Sequence, residues 1–206
     1  MIHLPRILPS RNAELAAATL MRLLGSFRHV QIAQPPQRSR VAGLLLTPLR
    51  YQLFLPHFVA IAEDFVRTSL MDWSEKSMPA RPSRLVQALW AAGQKETERS
   101  WDDVRGAFSK WHGISLSAFP QYDDFQACVD ARNAIVHGVG YLTPRQLRRD
   151  VAALRKRLIG FGISLSGTQL ILDEPSIRNC AITCREFILW TDLNLQGQPA
   201  PAGGTI

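Results

Sequence analysis

Apolar residues recur at spacings of three and four along most of this chain, which is the periodicity of amphipathic helices. Phe58, Ile61 and Phe65 show it in one segment, and Leu154 and Leu158 show it in another. Proline, glycine or a capping residue separates each such segment from the next. With 46% hydrophobic residues the chain can bury a core. The pattern predicts an all-α fold, a bundle of about seven helices.

Capping residues, prolines and glycines predict where the helices begin and end. The predicted starts carry a hydroxyl cap, in two cases followed by proline at the first helical position: Ser10, Thr47-Pro48, Ser83, Ser100 and Thr143-Pro144. The predicted ends are glycines: Gly25, Gly93, Gly113 and Gly138. We expect Pro56 to break or kink its helix. A single helix is expected from Thr143 to beyond Leu158.

The periodicity changes near the end of the chain. Residues 163–172 alternate around Ser166-Gly167, which predicts a small β-hairpin between the last two helices. We expect three parts: an N-terminal helix with a proline-rich connector at 1–40, a helical domain at 41–195 and a disordered tail at 196–206.

Positive charge is concentrated at the two ends of the sequence. The net charge is +7, and residues 1–50 carry +6 of it, whereas residues 51–144 carry −2. Arginine outnumbers lysine by 20 to 4, and arginine suits bidentate phosphate contacts. The charge favours a polyanionic partner, although a GC-rich genome gives the same arginine excess. The basic segment 145–157 is either a contact surface or a solvated helix face.

Three cysteines exclude a disulfide scaffold and are typical of a reducing compartment. Cys180 and Cys184 lie four residues apart in an apolar segment, and we interpret them as small buried side chains rather than as metal ligands. Neither a signal peptide nor a membrane span is expected. We therefore expect a soluble cytoplasmic protein with no cofactor and no metal.

Polar residues interrupt the apolar end of the sixth predicted helix at Arg132, Asn133 and His137. Asn133 and His137 share one stripe, whereas Arg132 and His137 lie about 140° apart and can flank a groove. The helix dipole favours protonated His137 in the last turn. An arginine and a titratable histidine can together hold a phosphodiester and move a proton. A histidine at this position can also simply cap carbonyl groups.

Residues 132–137, Arg-Asn-Ala-Ile-Val-His, match the R-polar-x3-H motif of the HEPN superfamily (higher eukaryotes and prokaryotes nucleotide-binding domain). The helix at 57–67, the segment 101–132 and the helix, hairpin and helix that follow also resemble the HEPN group found in toxin and defence loci. The resemblance covers about residues 45–193. It implies an all-α, metal-independent endoribonuclease that forms a homodimer with one composite site.

By this resemblance, Arg132 would bind the scissile phosphate of RNA, and His137 would be the acid–base group. Asn133 would orient His137 or contact phosphate, and the ribose 2′-hydroxyl would attack. A cognate antitoxin or regulatory protein is the further partner that the resemblance implies. Glu63 and Asp64 are either an acidic neighbour of the site or surface acids.

One position departs from the family pattern. HEPN toxins paired with a nucleotidyltransferase antitoxin carry a tyrosine where this chain has Val139, and the nearest tyrosine is Tyr141. This argues against regulation by nucleotide addition. A non-catalytic HEPN module for RNA or nucleotide binding, or for scaffolding, is the first alternative. A DNA-binding regulator is the second, and it lacks helix-turn-helix spacing.

Overall fold

The computed structural model describes residues 8–33, 40–41, 44–45, 49–97 and 100–197. Its helices are α1 Arg11–Ala33, α2 Leu49–Lys76, α3 Arg84–Thr97, α4 Trp101–His112, α5 Tyr122–Gly138, α6 Pro144–Leu147, α7 Val151–Phe161 and α8 Glu174–Gln196. Its strands are β1 Arg40–Val41, β2 Leu44–Leu45, β3 Ser164–Ser166 and β4 Gln169–Ile171. Strands β1 and β2 pair antiparallel, as do β3 and β4. The predicted all-α bundle with a hairpin between its last two helices is confirmed.

Helix α2 lies at the centre of the bundle, where it packs against α1, α4, α5 and α8. Phenylalanine side chains dominate the core, and Phe125 of α5 stacks on Phe187 of α8 with ring centroids 3.9 Å apart. Helix α1 adds Leu20 and Phe27 to the same core, both almost completely buried. Helix α5 packs against α2, α7 and α8, and one side of its C-terminal half is left open.

Two glycines that were expected to end helices lie inside them. Helix α1 continues through Gly25 to Ala33, and α3 continues through Gly93 to Thr97. Beyond Gly25, Phe27 is buried with its ring against Phe54, so packing stabilises the additional turns. A Cβ at Gly93 would lie 2.9 Å from Trp111 of α4, so this glycine permits close packing between two helices rather than a helix end.

Pro56 lies inside the continuous helix α2, so of the two expectations, a break or a kink, the break is wrong. Proline removes one helical hydrogen bond, but Leu55, Phe58 and Val59 around it are completely buried. The burial of these three side chains offsets the missing bond. Thr47-Pro48 lies outside the described residues, and α2 begins at the next residue, Leu49.

The single helix expected from Thr143 is two helices. Thr143 caps the short helix α6 by a reciprocal capping box with Gln146, whose backbone N–H donates to Thr143 Oγ1 over 3.2 Å. Asp150 then accepts a hydrogen bond from the Ala153 backbone N–H over 3.0 Å and begins α7. The split occurs because Asp150 is a stronger helix start than the apolar stripe alone indicates.

Other predicted boundaries agree with the structure. Ser100 caps α4, Gly113 ends it with a left-handed φ of 65°, and α5 ends at Gly138. The hairpin turn is displaced by one residue, because Ser166 pairs with Gln169 and leaves Gly167 and Thr168 in the turn. Helix α1 continues to Ala33, and α8 continues to Gln196, so the tail expected from residue 196 does not begin there. Residues 34–39 of the proline-rich connector and 198–206 of the tail lie outside the described residues.

No helix in the described part of the chain combines the length and apolar character that crossing a bilayer requires.

The two interior glycines give opposite expectations for alanine substitution. We expect Gly25→Ala to raise the free energy of unfolding by about 0.5–1 kcal/mol, because alanine is the better helix former and an added Cβ meets no atom within 4 Å. Gly93→Ala should gain less or lose stability, because its Cβ would be too close to Trp111. Urea denaturation measures both; an equal gain in the two variants would contradict the packing role of Gly93.

Candidate active site

The open side of α5 forms a groove of about 640 Å³, here called the α5 groove. Helix α5 forms its floor, and its walls come from α2, the start of α4 and the segment around α6. The residues lining it are Glu63, Arg67, Ser100, Trp101, Asp102, Gln126, Val129, Asp130, Arg132, Asn133, His137, Thr143, Pro144, Arg145, Gln146 and Arg149. The structure therefore brings Arg132, Asn133 and His137 to one groove.

An ion pair fixes Arg132. Its Nη2 donates to Glu63 Oε2, and its Nη1 donates to Asn133 Oδ1 over 3.0 Å. The Glu63 side chain is 11% exposed and that of Arg132 is 24% exposed. Glu63 is thus a buried neighbour of the motif rather than a surface acid. Asp64 is exposed and lies outside the groove, in a shallow depression shared with His57.

The environment of Glu63 favours its protonated form. Burial raises the pKa of the Glu63 carboxyl above the ordinary value of 4.5, and the charge of Arg132 and its hydrogen bond oppose this rise only in part. Arg67 opposes it too, from one helical turn further along α2. The strength of the ion pair therefore depends on how well Glu63 stays ionised.

The side chains of His137 and Asn133 do not form a hydrogen bond with each other in this structure. The side-chain oxygen of Asn133 accepts from Arg132, so Asn133 positions the arginine and not the histidine. His137 is exposed, and its imidazole has no hydrogen-bond partner among the described residues. The histidine is accordingly free to meet a ligand from solvent.

A second ion pair, between Asp130 of α5 and Arg157 of α7, was missed by the sequence analysis. Asp130 is buried, and its Oδ2 accepts from Arg157 Nε over 3.1 Å and Nη2 over 2.6 Å. Its backbone carbonyl accepts from the side chain of Gln146 over 2.9 Å. Burial raises the pKa of Asp130, and Arg157 opposes that rise. This pair anchors α6 and α7 on α5.

The basic segment 145–157 divides between structural and accessible arginines. Arg157 is held by Asp130, and Arg155 donates to the carbonyl of Gly167 over 2.7 Å. Arg145 and Arg149 instead line the α5 groove. Segment 145–157 is therefore neither a purely solvated helix face nor a single contact surface.

The groove also offers unused hydrogen-bond donors. Arg67 Nε and Trp101 Nε1 are buried at its walls and have no acceptor in the part of the chain that the structure describes. These two atoms are not accessible from the groove, but the arginines that line it, Arg67, Arg132, Arg145 and Arg149, supply further donors, a chemistry that suits an anionic ligand. The spacing of four residues between Glu63 and Arg67 on one helix could have placed Arg67 near the site. Nothing in the sequence marks Trp101 as a groove residue.

Comparisons with models of protein families, with curated proteins and with solved structures gave no significant match. The HEPN resemblance therefore remains a prediction that depends on the motif residues and their arrangement.

The Glu63 environment gives a pH-dependent stability. Because the folded-state pKa is raised, Glu63 contributes stability that is present below its unfolded-state pKa and lost as the pH rises through the folded-state value. The Glu63→Gln variant has no titratable group at this position and is the reference for the wild type. We expect the free energy of unfolding of the wild type, relative to this variant, to fall as the pH rises above the ordinary glutamate pKa of 4.5.

Denaturant titration at each pH measures this difference. Asp64→Asn removes an exposed carboxylate from the next position of α2 and is the control variant. A difference that rises with pH would show that pairing with Arg132 outweighs burial, contrary to this expectation.

Proposed function

We propose that this protein is a HEPN-type endoribonuclease that cleaves RNA by attack of the ribose 2′-hydroxyl and does not require a metal ion. The supporting observation is the convergence of a positioned arginine, Arg132, and an accessible histidine, His137, in one donor-rich groove. RNA offers the repeated phosphodiester that such a groove fits, and the net charge of +7 favours its approach.

Arg132 would hold the scissile phosphate. Glu63 and Asn133 occupy one N–H of each terminal nitrogen and fix the plane of the guanidinium, so its remaining N–H groups are oriented before RNA arrives. Fixed donors stabilise the charge that develops on the phosphoryl oxygens. Arg67, Arg145 and Arg149 would contact neighbouring phosphates along the groove.

The reaction needs one proton acceptor and one proton donor. A base takes the 2′-hydroxyl proton as the O2′–P bond forms, and an acid protonates O5′ as the P–O5′ bond breaks, which leaves a cyclic phosphate and a 5′-hydroxyl. One imidazole cannot hold both roles at once. In a homodimer, His137 of one chain and His137 of the partner subunit would supply both.

Exposed apolar residues beside His137 support such a dimer. Val136 is 52% exposed, Val139 80% and Tyr141 48%, all within four residues of His137. Apolar side chains grouped at one place on a surface mark an interaction site. We propose that two copies meet here about a two-fold axis and bury on the order of 1,000 Å² or more in total. Each Arg132 retains Glu63 as its counter-charge, which reduces repulsion between the two sites.

A non-catalytic RNA- or nucleotide-binding module is the second candidate. Two observations favour it: Glu63 already neutralises Arg132, and His137 has no orienting partner among the described side chains. Such a module would bind RNA through the groove arginines and leave it intact. The family resemblance further suggests a cytoplasmic toxin or anti-phage defence effector with a cognate antitoxin.

Cleavage should persist in EDTA and should depend on two side chains. We expect His137→Ala and Arg132→Ala each to reduce the cleavage rate on the order of a hundredfold or more, because they remove the acid–base group and the phosphate-binding charge. Gel analysis of labelled RNA measures the rate, and end analysis should show cyclic phosphates and 5′-hydroxyls. A strict requirement for Mg²⁺ would overturn the mechanism.

His29→Ala and Arg178→Ala are the matched controls, since both residues are exposed and lie outside the groove. Asn133→Ala should reduce the rate less than either site variant, because it removes one hydrogen bond to Arg132, which is worth about 1 kcal/mol. RNA binding without cleavage by the wild type would identify the binding module instead.

The dimer should dissociate when charge enters its apolar patch. We expect Val139→Asp to convert a dimer to a monomer at micromolar concentration, measured by multi-angle light scattering. Val139 has a left-handed φ of 52°, which aspartate adopts more easily than a β-branched residue, so the variant should still fold. Leu15→Asp, on an exposed face of α1, is the control. A monomeric wild type would contradict the proposal.

A further inference from the structure

Three cysteines meet in the core behind the α5 groove. Cys128 belongs to α5, and Cys180 and Cys184 belong to α8. All three are completely buried, and their Sγ atoms lie within 4.8 Å of one another. A spacing of four residues on α8 brings Cys180 and Cys184 together, and the packing of α5 on α8 adds Cys128. These are all the cysteines that the chain contains.

The spacing of the sulfurs is close to that of a metal–thiolate site. Three thiolates at about 2.3 Å from one ion lie about 4 Å from each other in a trigonal arrangement. The three Sγ atoms, at most 4.8 Å apart, need only a small rotation of side chains to reach this geometry. The two helices fix the positions of the ligands, so the site is largely formed before an ion arrives.

We propose that Cys128, Cys180 and Cys184 together bind one soft d10 metal ion in three-coordinate thiolate geometry, with Cu(I) as the matching ion. Sulfur ligands select soft ions such as Cu(I), whereas structural zinc takes four ligands. No imidazole or carboxylate of the described residues joins the three sulfurs in this cluster. Among the described residues the cluster therefore lacks the fourth protein ligand of a structural zinc site.

Metal binding displaces the thiol protons. Each coordinating thiol releases its proton to solvent, and neither sulfur nor copper changes oxidation state.

Competition with a chromophoric Cu(I) chelator tests the site. The full-length reduced chain is titrated without oxygen against the Cu(I)–chelator complex, and we expect it to remove one Cu(I) per chain. Cys128→Ala should lower the affinity on the order of a hundredfold or more, because two sulfurs remain. A folded wild-type chain that takes no Cu(I) from the chelator overturns the proposal, as does Cys128→Ala that binds equally well.

Thermal unfolding separates a native site from thiols exposed in the unfolded chain. An ion that binds the folded state raises the midpoint of unfolding, whereas an ion that prefers the unfolded chain lowers it. We expect Cu(I) to raise the midpoint of the wild type and not that of Cys128→Ala or Cys184→Ala. A lowered wild-type midpoint, or a rise with Zn²⁺ and none with Cu(I), overturns the assignment. The result does not depend on whether the protein cleaves RNA.

Discussion

The ion pair between Glu63 and Arg132 joins the two helices on which the candidate site is built. Helix α2 is the centre of the bundle and α5 is the floor of the groove, and this pair is their polar connection. Replacing either residue alone would leave the other charged group partly buried without its partner, which is more destabilising than removing both. The same interaction thus serves packing and fixes the arginine that faces the groove.

Helix α5 carries a second carboxylate–arginine pair, and the two pairs have different consequences. Asp130 pairs with Arg157 and so attaches α7 to α5, and Arg157 is not among the residues that line the groove. Glu63 uses Arg132, which keeps part of its surface open to the groove. In the proposed function, an RNA phosphate at Arg132 would meet an arginine whose charge is already partly compensated. The affinity would then depend on the other arginines that line the groove, Arg67, Arg145 and Arg149.

The sequence correctly predicted features that depend on one helix, such as caps and spacing. It did not predict features that depend on contacts between helices. Arg132, Asn133 and His137 share α5, so their spacing alone placed them at one groove. Ser100 and Thr143 start helices as predicted, because a cap acts on the three residues that follow it. Gly25, Gly93 and Pro56 were misinterpreted, because neighbouring helices decide whether a weak helix former ends a helix. Arg157 and Cys128 find their partners across the bundle, which periodicity does not show.

Cys128 and Arg132 lie one turn apart on α5, one contributing to the sulfur cluster in the core and the other to the surface groove. Because both residues belong to one helix, any small displacement of α5 on binding at one place would move both the Cys128 sulfur and the Arg132 guanidinium. Thermodynamic linkage makes such coupling reciprocal: an anion that prefers one position of Arg132 changes the affinity of the cysteines by the same factor that the ion changes the affinity for the anion. Helix α5 would thus couple the proposed metal ion in the core to the proposed anion in the groove, although the two ligands do not touch each other.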